Sequence, residues 1–136
     1  MGGRQNFLGI CLLLNKIVMK LLKSFGFAIN GLIICVTTEA NFKIHFLLAA
    51  IAIFFGIGLH ISGTEWLAVV FSIAFVTAME MINTAIEKLC DVVYKDIHPG
   101  IKKVKDIAAG AVMLAAACSL IVAAIIFLPK IIGLIK

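Results

Sequence analysis

The stretch AMEMINTAIEKLCD, residues 78–91, sets two glutamates, an asparagine and an aspartate directly after fourteen uncharged residues, 66–79. On a helix advancing about 100° per residue, with Glu80 as zero, Asn83 falls near 300°, Glu87 near 340° and Asp91 near 20°. The four polar side chains share one face, and Met81, Ile82, Ile86 and Leu89 fall mostly elsewhere. A helix end leaving a membrane accounts for Glu87, Lys88 and Asp91, but not for Glu80. A carboxylate inside a span costs about 2.5–3.5 kcal/mol on insertion scales and usually marks a functional site. Held partly dry, its charged form is destabilised, the condition that suits a general base working near neutral pH. Glu80, the deepest of the set, is the candidate base. Glu87, nearer water, suits a hard cation such as Mg2+, which takes oxygen ligands and keeps several waters. Glu39, ahead of the first apolar segment, can add a second carboxylate, and Lys105 and Asp106 stand at the foot of the last one.

The elements that must position these groups are apolar. Of 136 residues 63% are hydrophobic, and the mean hydropathy is +1.18, well above a soluble domain. The length allows one domain. Three segments are expected to span a membrane, at about 44–61, 66–88 and 107–128, with Pro129 expected to stop the third and 130–136 left as a tail. Lipid offers no hydrogen-bond partners, so the spans are expected to be helical, giving an all-α membrane protein.

Charge sets the expected orientation. Lys88, Lys95, Lys102, Lys103 and Lys105 lie between the second and third spans, whereas the HISGTE connection has no lysine or arginine. Arg4, Lys16, Lys20, Lys23 and Lys43 precede or open the first span. The positive-inside rule then places the N-terminus and the 88–106 connection in the cytoplasm and the C-terminus outside, against the weaker vote of Lys130 and Lys136. The net charge of +5 reads as orientation and attraction to anionic headgroups, not as nucleic-acid binding. Cys11, Cys35, Cys90 and Cys118 are scattered and suggest neither disulfides nor zinc. His45 and His60 read as interfacial and Trp66 as an outer-belt anchor.

Residues 16–38 read as an amphipathic helix in the headgroup plane. Lys16, Lys20 and Lys23 share a side with Asn30, opposite Leu21, Phe25, Ala28 and Leu32. MGGRQN lacks the Ser or Thr of a myristoylation signal, and no cleavage site follows FLGICLLL. The functional chain is therefore expected to start near Met19, with 1–18 a leader and 19–129 the working domain.

No G-x-x-x-x-G-K-[ST] loop, G-x-G-x-x-G or zinc signature is present. Two classes remain: an enzyme, or a non-catalytic scaffold or transporter subunit whose carboxylates pair with lysines or relay protons. The run EMINTAIEKLCD resembles the signature E-x-x-N-[ST]-A-I-E-x-x-x-D of the small bacterial integral-membrane lipid kinases, the prokaryotic diacylglycerol kinase and undecaprenol kinase family. TEANFKIH and HPGIKKVKDIAAGAV extend the resemblance over about residues 19–128.

That resemblance implies a surface helix plus three spans, assembled as a homotrimer in the bacterial inner membrane with cytoplasmic active sites between protomers. It implies transfer of the γ-phosphate of MgATP to a lipid hydroxyl. By position it makes Glu80 the catalytic base, Glu39 and Glu87 the magnesium ligands, and Asn83 a substrate contact with Glu80. Lys20, Phe27, Asp96, Ile97, His98, Lys105 and Asp106, with the two metal glutamates, become nucleotide contacts. Relatives often carry a basic residue at Asn30 and an aromatic hydroxyl at Phe27. The HPGIKKVKD wording leans to the undecaprenol branch, with diacylglycerol next. Deleting residues 1–18 is expected to leave lipid phosphorylation by purified protein within about twofold; loss of activity would make the leader part of the working chain.

Overall fold

The computed structural model describes residues 2–94 and 98–135, with side chains described from residue 13. It is all-helical: α1 (Gly2–Thr38), α2 (Ala40–Gly58), α3 (Gly63–Val93) and α4 (Pro99–Ile135). α2, α3, α4 and the Leu13–Thr38 part of α1 are each long and apolar enough to cross a membrane. This is a membrane protein by that measure. Large apolar side chains such as Phe54, Phe71 and Leu67 are exposed, as a lipid-facing surface requires.

The chain divides into an N-terminal unit, which is α1, and a second unit from Thr38 onward. α1 runs without a break across residues 18 and 19, where the leader was expected to give way to the surface helix. Its sequence holds no proline to interrupt it. Ser24 and Thr37 donate to the carbonyls of Lys20 and Ile33, so their hydroxyls stay within the helix.

In the second unit, the turn between α2 and α3 is tightly built. Ile61 N–H donates to Gly56 O and His60 N–H to Ile57 O, both at 3.2 Å, which closes α2 in a Schellman arrangement. His60 takes the left-handed position usually held by glycine, with φ 48°. Ser62 then opens α3 with a capping box. Its backbone N–H donates to Glu65 Oε2 at 2.6 Å, and its hydroxyl accepts from Glu65 N–H at 3.3 Å. Ile61, Val69 and Ile126 form a small core here, with Trp66, Val122 and Phe127 packed on it.

α3 and α4 make the main pairing. Ala108, Val112 and Ala115 recur on one buried face of α4, so the small residues let the backbones approach. Ser119 Oγ donates to Ala115 O within α4 and to Ser72 O across it. Ion pairs tie both ends of the hairpin, Lys130–Glu65 at 3.3 Å at one and Lys105–Asp91 at the other.

Pro129 does not stop α4, contrary to the sequence expectation; the helix continues to Ile135. Proline removes one intrahelical bond, to the carbonyl of Ile125, and the remaining bonds of the helix carry it past that point.

Gly56 is a point of close packing between α2 and α3. A Cβ there would stand 2.8 Å from Trp66 Cη2 and 3.1 Å from Ile61 Cδ1, whereas a Cβ on Gly58 meets nothing within 4 Å. Gly56→Ala is expected to destabilise the detergent-solubilised protein by about 1–3 kcal/mol, the usual range for overpacking. Gly58→Ala should be neutral or slightly stabilising in the same thermal unfolding assay.

Candidate active site

α3 buries the inner part of its polar stripe, while Glu87 is half-buried and Asp91 exposed. Glu80 is 3% exposed, Thr84 3% and Asn83 6%, among the most enclosed residues of the second unit. Asn83 Nδ2 donates to Glu87 Oε1 at 3.1 Å, one helical turn away. Glu80 Oε2 and Asn83 Oδ1 have no hydrogen-bond partner among the described residues. A buried acceptor left unbonded costs roughly 1–3 kcal/mol, and more if charged. Two such atoms one turn apart mark a place built to meet something else.

Glu39 is the residue ahead of α2, in extended conformation, and makes no side-chain cap to that helix. Its carboxylate instead accepts from the Thr38 hydroxyl at 2.8 Å and lies 3.0 Å from Lys88 Nζ. The Thr38 hydrogen bond first, and the Lys88 ammonium second, hold the Glu39 carboxyl below the usual carboxylate range. Glu39, Glu87 and His45 all stand near enough to Glu80 to act on its charge. Glu80 thus faces the interior, in company with both other glutamates. Lys105 pairs with Asp91 and lies within electrostatic reach of Glu87, while Asp106 is exposed beside it.

His98 is exposed and caps the start of α4. Its Nδ1 accepts from Gly100 N–H at 3.1 Å, and its ring stands edge-on to Tyr94 at 5.3 Å. Pro99 follows it, where a missing N–H costs nothing. Asp96 and Ile97 lie outside the described residues. Lys20 and Phe27 are exposed on α1, in the N-terminal unit.

Two neighbours escaped the sequence reading. Thr84 has no role in that reading, though it adjoins Asn83 and fills the Ser/Thr position of the signature. His45 looked interfacial, yet its place one turn beyond buried Phe42 put it on the inward face of α2.

The residues present fit a divalent ion by donor chemistry. Magnesium needs one or two carboxylates beside phosphate oxygens and water, and Glu39, Glu87 and the unpaired Asn83 oxygen are hard donors of that kind. Among the described residues no three His, Cys, Asp or Glu side chains gather as a self-sufficient metal cluster.

An all-helical membrane protein with an enclosed carboxylate, a second and third glutamate beside it and lysines at the same end defines the class. The family model for prokaryotic diacylglycerol kinase matches residues 26–127. The chain is 38% identical over 108 residues to the undecaprenol kinase of Bacillus subtilis (strain 168), covering 79% of this chain and 88% of that one. It is 32% identical over 120 residues to a diacylglycerol kinase of Synechocystis sp. (strain ATCC 27184 / PCC 6803 / Kazusa), covering 88% and 69% respectively. The chain belongs to the prokaryotic diacylglycerol kinase family and is a lipid kinase.

The Glu39–Lys88 contact gives a pH prediction. A carboxyl whose folded pKa is lowered contributes stability that is complete above its unfolded value, about 4.3, and lost as pH falls through the lower folded value. In metal-free detergent buffer, Lys88→Met is expected to move the Glu39 titration upward, as followed by carbon-detected NMR of the side-chain carboxyl. No movement would show that Thr38 alone holds it.

Proposed function

We propose that this chain transfers the γ-phosphoryl group of MgATP to the hydroxyl of a membrane lipid alcohol, with undecaprenol the first substrate and diacylglycerol the next. The observation that carries this reading is Glu80, 3% exposed with one carboxylate oxygen unpaired, in a family of lipid kinases. The order of substrates is supported by the 38% identity to an undecaprenol kinase against 32% to a diacylglycerol kinase, together with the HPGIKKVKD wording.

In this mechanism Glu80 accepts the proton of the lipid hydroxyl as its oxygen attacks phosphorus, and Asn83 orients that hydroxyl. Glu39 and Glu87 would hold Mg2+, which would supply charge neutralisation for the phosphate oxygens. Lys105 adds positive charge where the transferring group carries negative charge, and Asp106, His98, Asp96 and Ile97 position the nucleotide. Lys20 and Phe27 contribute from α1. A loose phosphoryl-transfer transition state asks for this kind of neutralisation and alignment more than for covalent help.

The architecture proposed with it is a surface helix plus three spans, arranged as a homotrimer in the bacterial inner membrane, multi-pass, with the N-terminus and site cytoplasmic. The working domain is 19–129, with 1–18 a leader. Lying in the interface suits α1 because Lys16, Lys20 and Lys23 would otherwise enter hydrocarbon, at about 2.5–3.5 kcal/mol for a lysine at the centre of a span. Lys88 near the end of α3 and the four lysines between α3 and the apolar part of α4 favour that orientation.

The decisive measurement is transfer of label from γ-labelled ATP, with magnesium, to undecaprenol and diacylglycerol offered separately in mixed micelles. Glu80→Gln is expected to keep the oligomer and lower turnover at least 1000-fold, in line with losing a general base. Retained turnover in that variant removes the base assignment, and faster labelling of diacylglycerol reverses the substrate order.

A further inference from the structure

A proton delivered to Glu80 has to leave again before the next turnover, and Glu80 is nearly sealed from solvent. α2, α3 and α4 enclose a groove of about 590 Å3 lined on α3 by Val69, Ile73, Val76 and Thr77. Val76 and Thr77 precede Glu80 by four and three residues, so the groove runs along the face of α3 that carries it. His45 lines the same groove from α2 and is its one titratable side chain among the described residues. Two of the three hydroxyls in the groove bond within their own helices: Thr77 donates to Ile73 O at 2.7 Å and Ser119 to Ala115 O at 2.9 Å; the third, on Ser72, has no ionisable proton to relay at neutral pH. The imidazole also stands close enough to Glu80 to act on its charge.

We infer that His45 is the proton outlet of Glu80, a positioning residue that restores the base between turnovers and does not itself touch the reacting atoms. The inference rests on the kinase reading above. The lipid O–H bond breaks as its oxygen bonds the γ-phosphorus, the bond from that phosphorus to the bridging oxygen breaks and ADP leaves, and the proton goes to the Glu80 carboxylate. The neutral acid then passes that proton to neutral His45, directly or through one water, regenerating carboxylate and forming imidazolium. Imidazolium releases the proton to water, since His45 is only half-buried. No oxidant or further reactant is needed.

The charges around this pair are few. Glu39 ahead of α2 and Glu87 on α3 are the other acidic groups acting on Glu80, and Lys88 of α3 is paired with Glu39. Lys43 is the nearest cation in sequence on α2 itself. From α4 the groove receives uncharged side chains, Met113, Ala116, Ser119 and Phe127 among them.

Two variants test this in the full-length protein. His45→Gln keeps bulk and polarity but carries no proton, and should lower kcat about 10- to 100-fold, with KM for lipid and ATP held within about twofold. The acid limb of the wild-type kcat profile, between about pH 5.5 and 7.5 where an imidazole changes charge, should vanish in that variant. His45→Ala should regain several-fold activity on adding free imidazole. The inference is overturned if His45→Gln keeps kcat within twofold, if the loss falls on the lipid KM, or if folded His45→Ala gains nothing from imidazole. Should His45→Ala not fold, the kcat and pH profile of His45→Gln decide alone. These outcomes separate from the wider reading: an active wild type with an inactive Glu80→Gln and an unaffected His45→Gln removes only the outlet.

Discussion

Hydrocarbon gives a polar atom nothing to bond to, and that constraint shapes the whole chain. It forces every described segment of length into helix, and it makes an unbonded carboxylate oxygen expensive. Glu80 carries such an oxygen in the interior of α3, with an unbonded amide oxygen on Asn83 one turn on. The surrounding structure tolerates them because stability comes from elsewhere. The Ile61–Val69–Ile126 core and the capped α2–α3 turn lie at the opposite end from the stripe. The apolar core and the polar stripe are thereby separated along the bundle axis, so the polar end can remain incompletely satisfied.

That polar end is packed through Phe42, Cys90 and Ala108 and rimmed by charge pairs. Lys88 meets Glu39 across from α3 to the start of α2, and Lys105 meets Asp91 across from α4 to α3. Exposed pairs of this kind add little stability, on the order of 0–1 kcal/mol each. They matter more as counter-charges that can be exchanged: each joins a cation to a carboxylate at the edge of the stripe, and a phosphate or a metal ion arriving there would compete for the same partners.

Much of this was legible in the residues. The 100° spacing of Glu80, Asn83 and Glu87 announced a shared face, and the structure turns that face inward. The helical class followed from apolar length alone. What stayed hidden depended on neighbours distant in sequence. Nothing in IHFLLAA shows that His45 meets the face of Glu80, because that depends on how α2 packs against α3. Pro129 misled because a proline deletes one intrahelical bond without obliging the helix to end there. The continuity of α1 through residue 18 was missed for a similar reason: a change in pattern, from apolar run to lysine periodicity, does not require a break in the backbone.

The hydrogen bond that opens α4 also fixes the tautomer of one ring. Because His98 Nδ1 accepts the Gly100 amide proton, a neutral imidazole at that position must carry its own hydrogen on Nε2. The outward edge of the ring is therefore a donor. Whatever meets it encounters an N–H and has to bring a lone pair, as an oxygen of a phosphate or a carbonyl does; a group offering only hydrogens finds no acceptor on that edge.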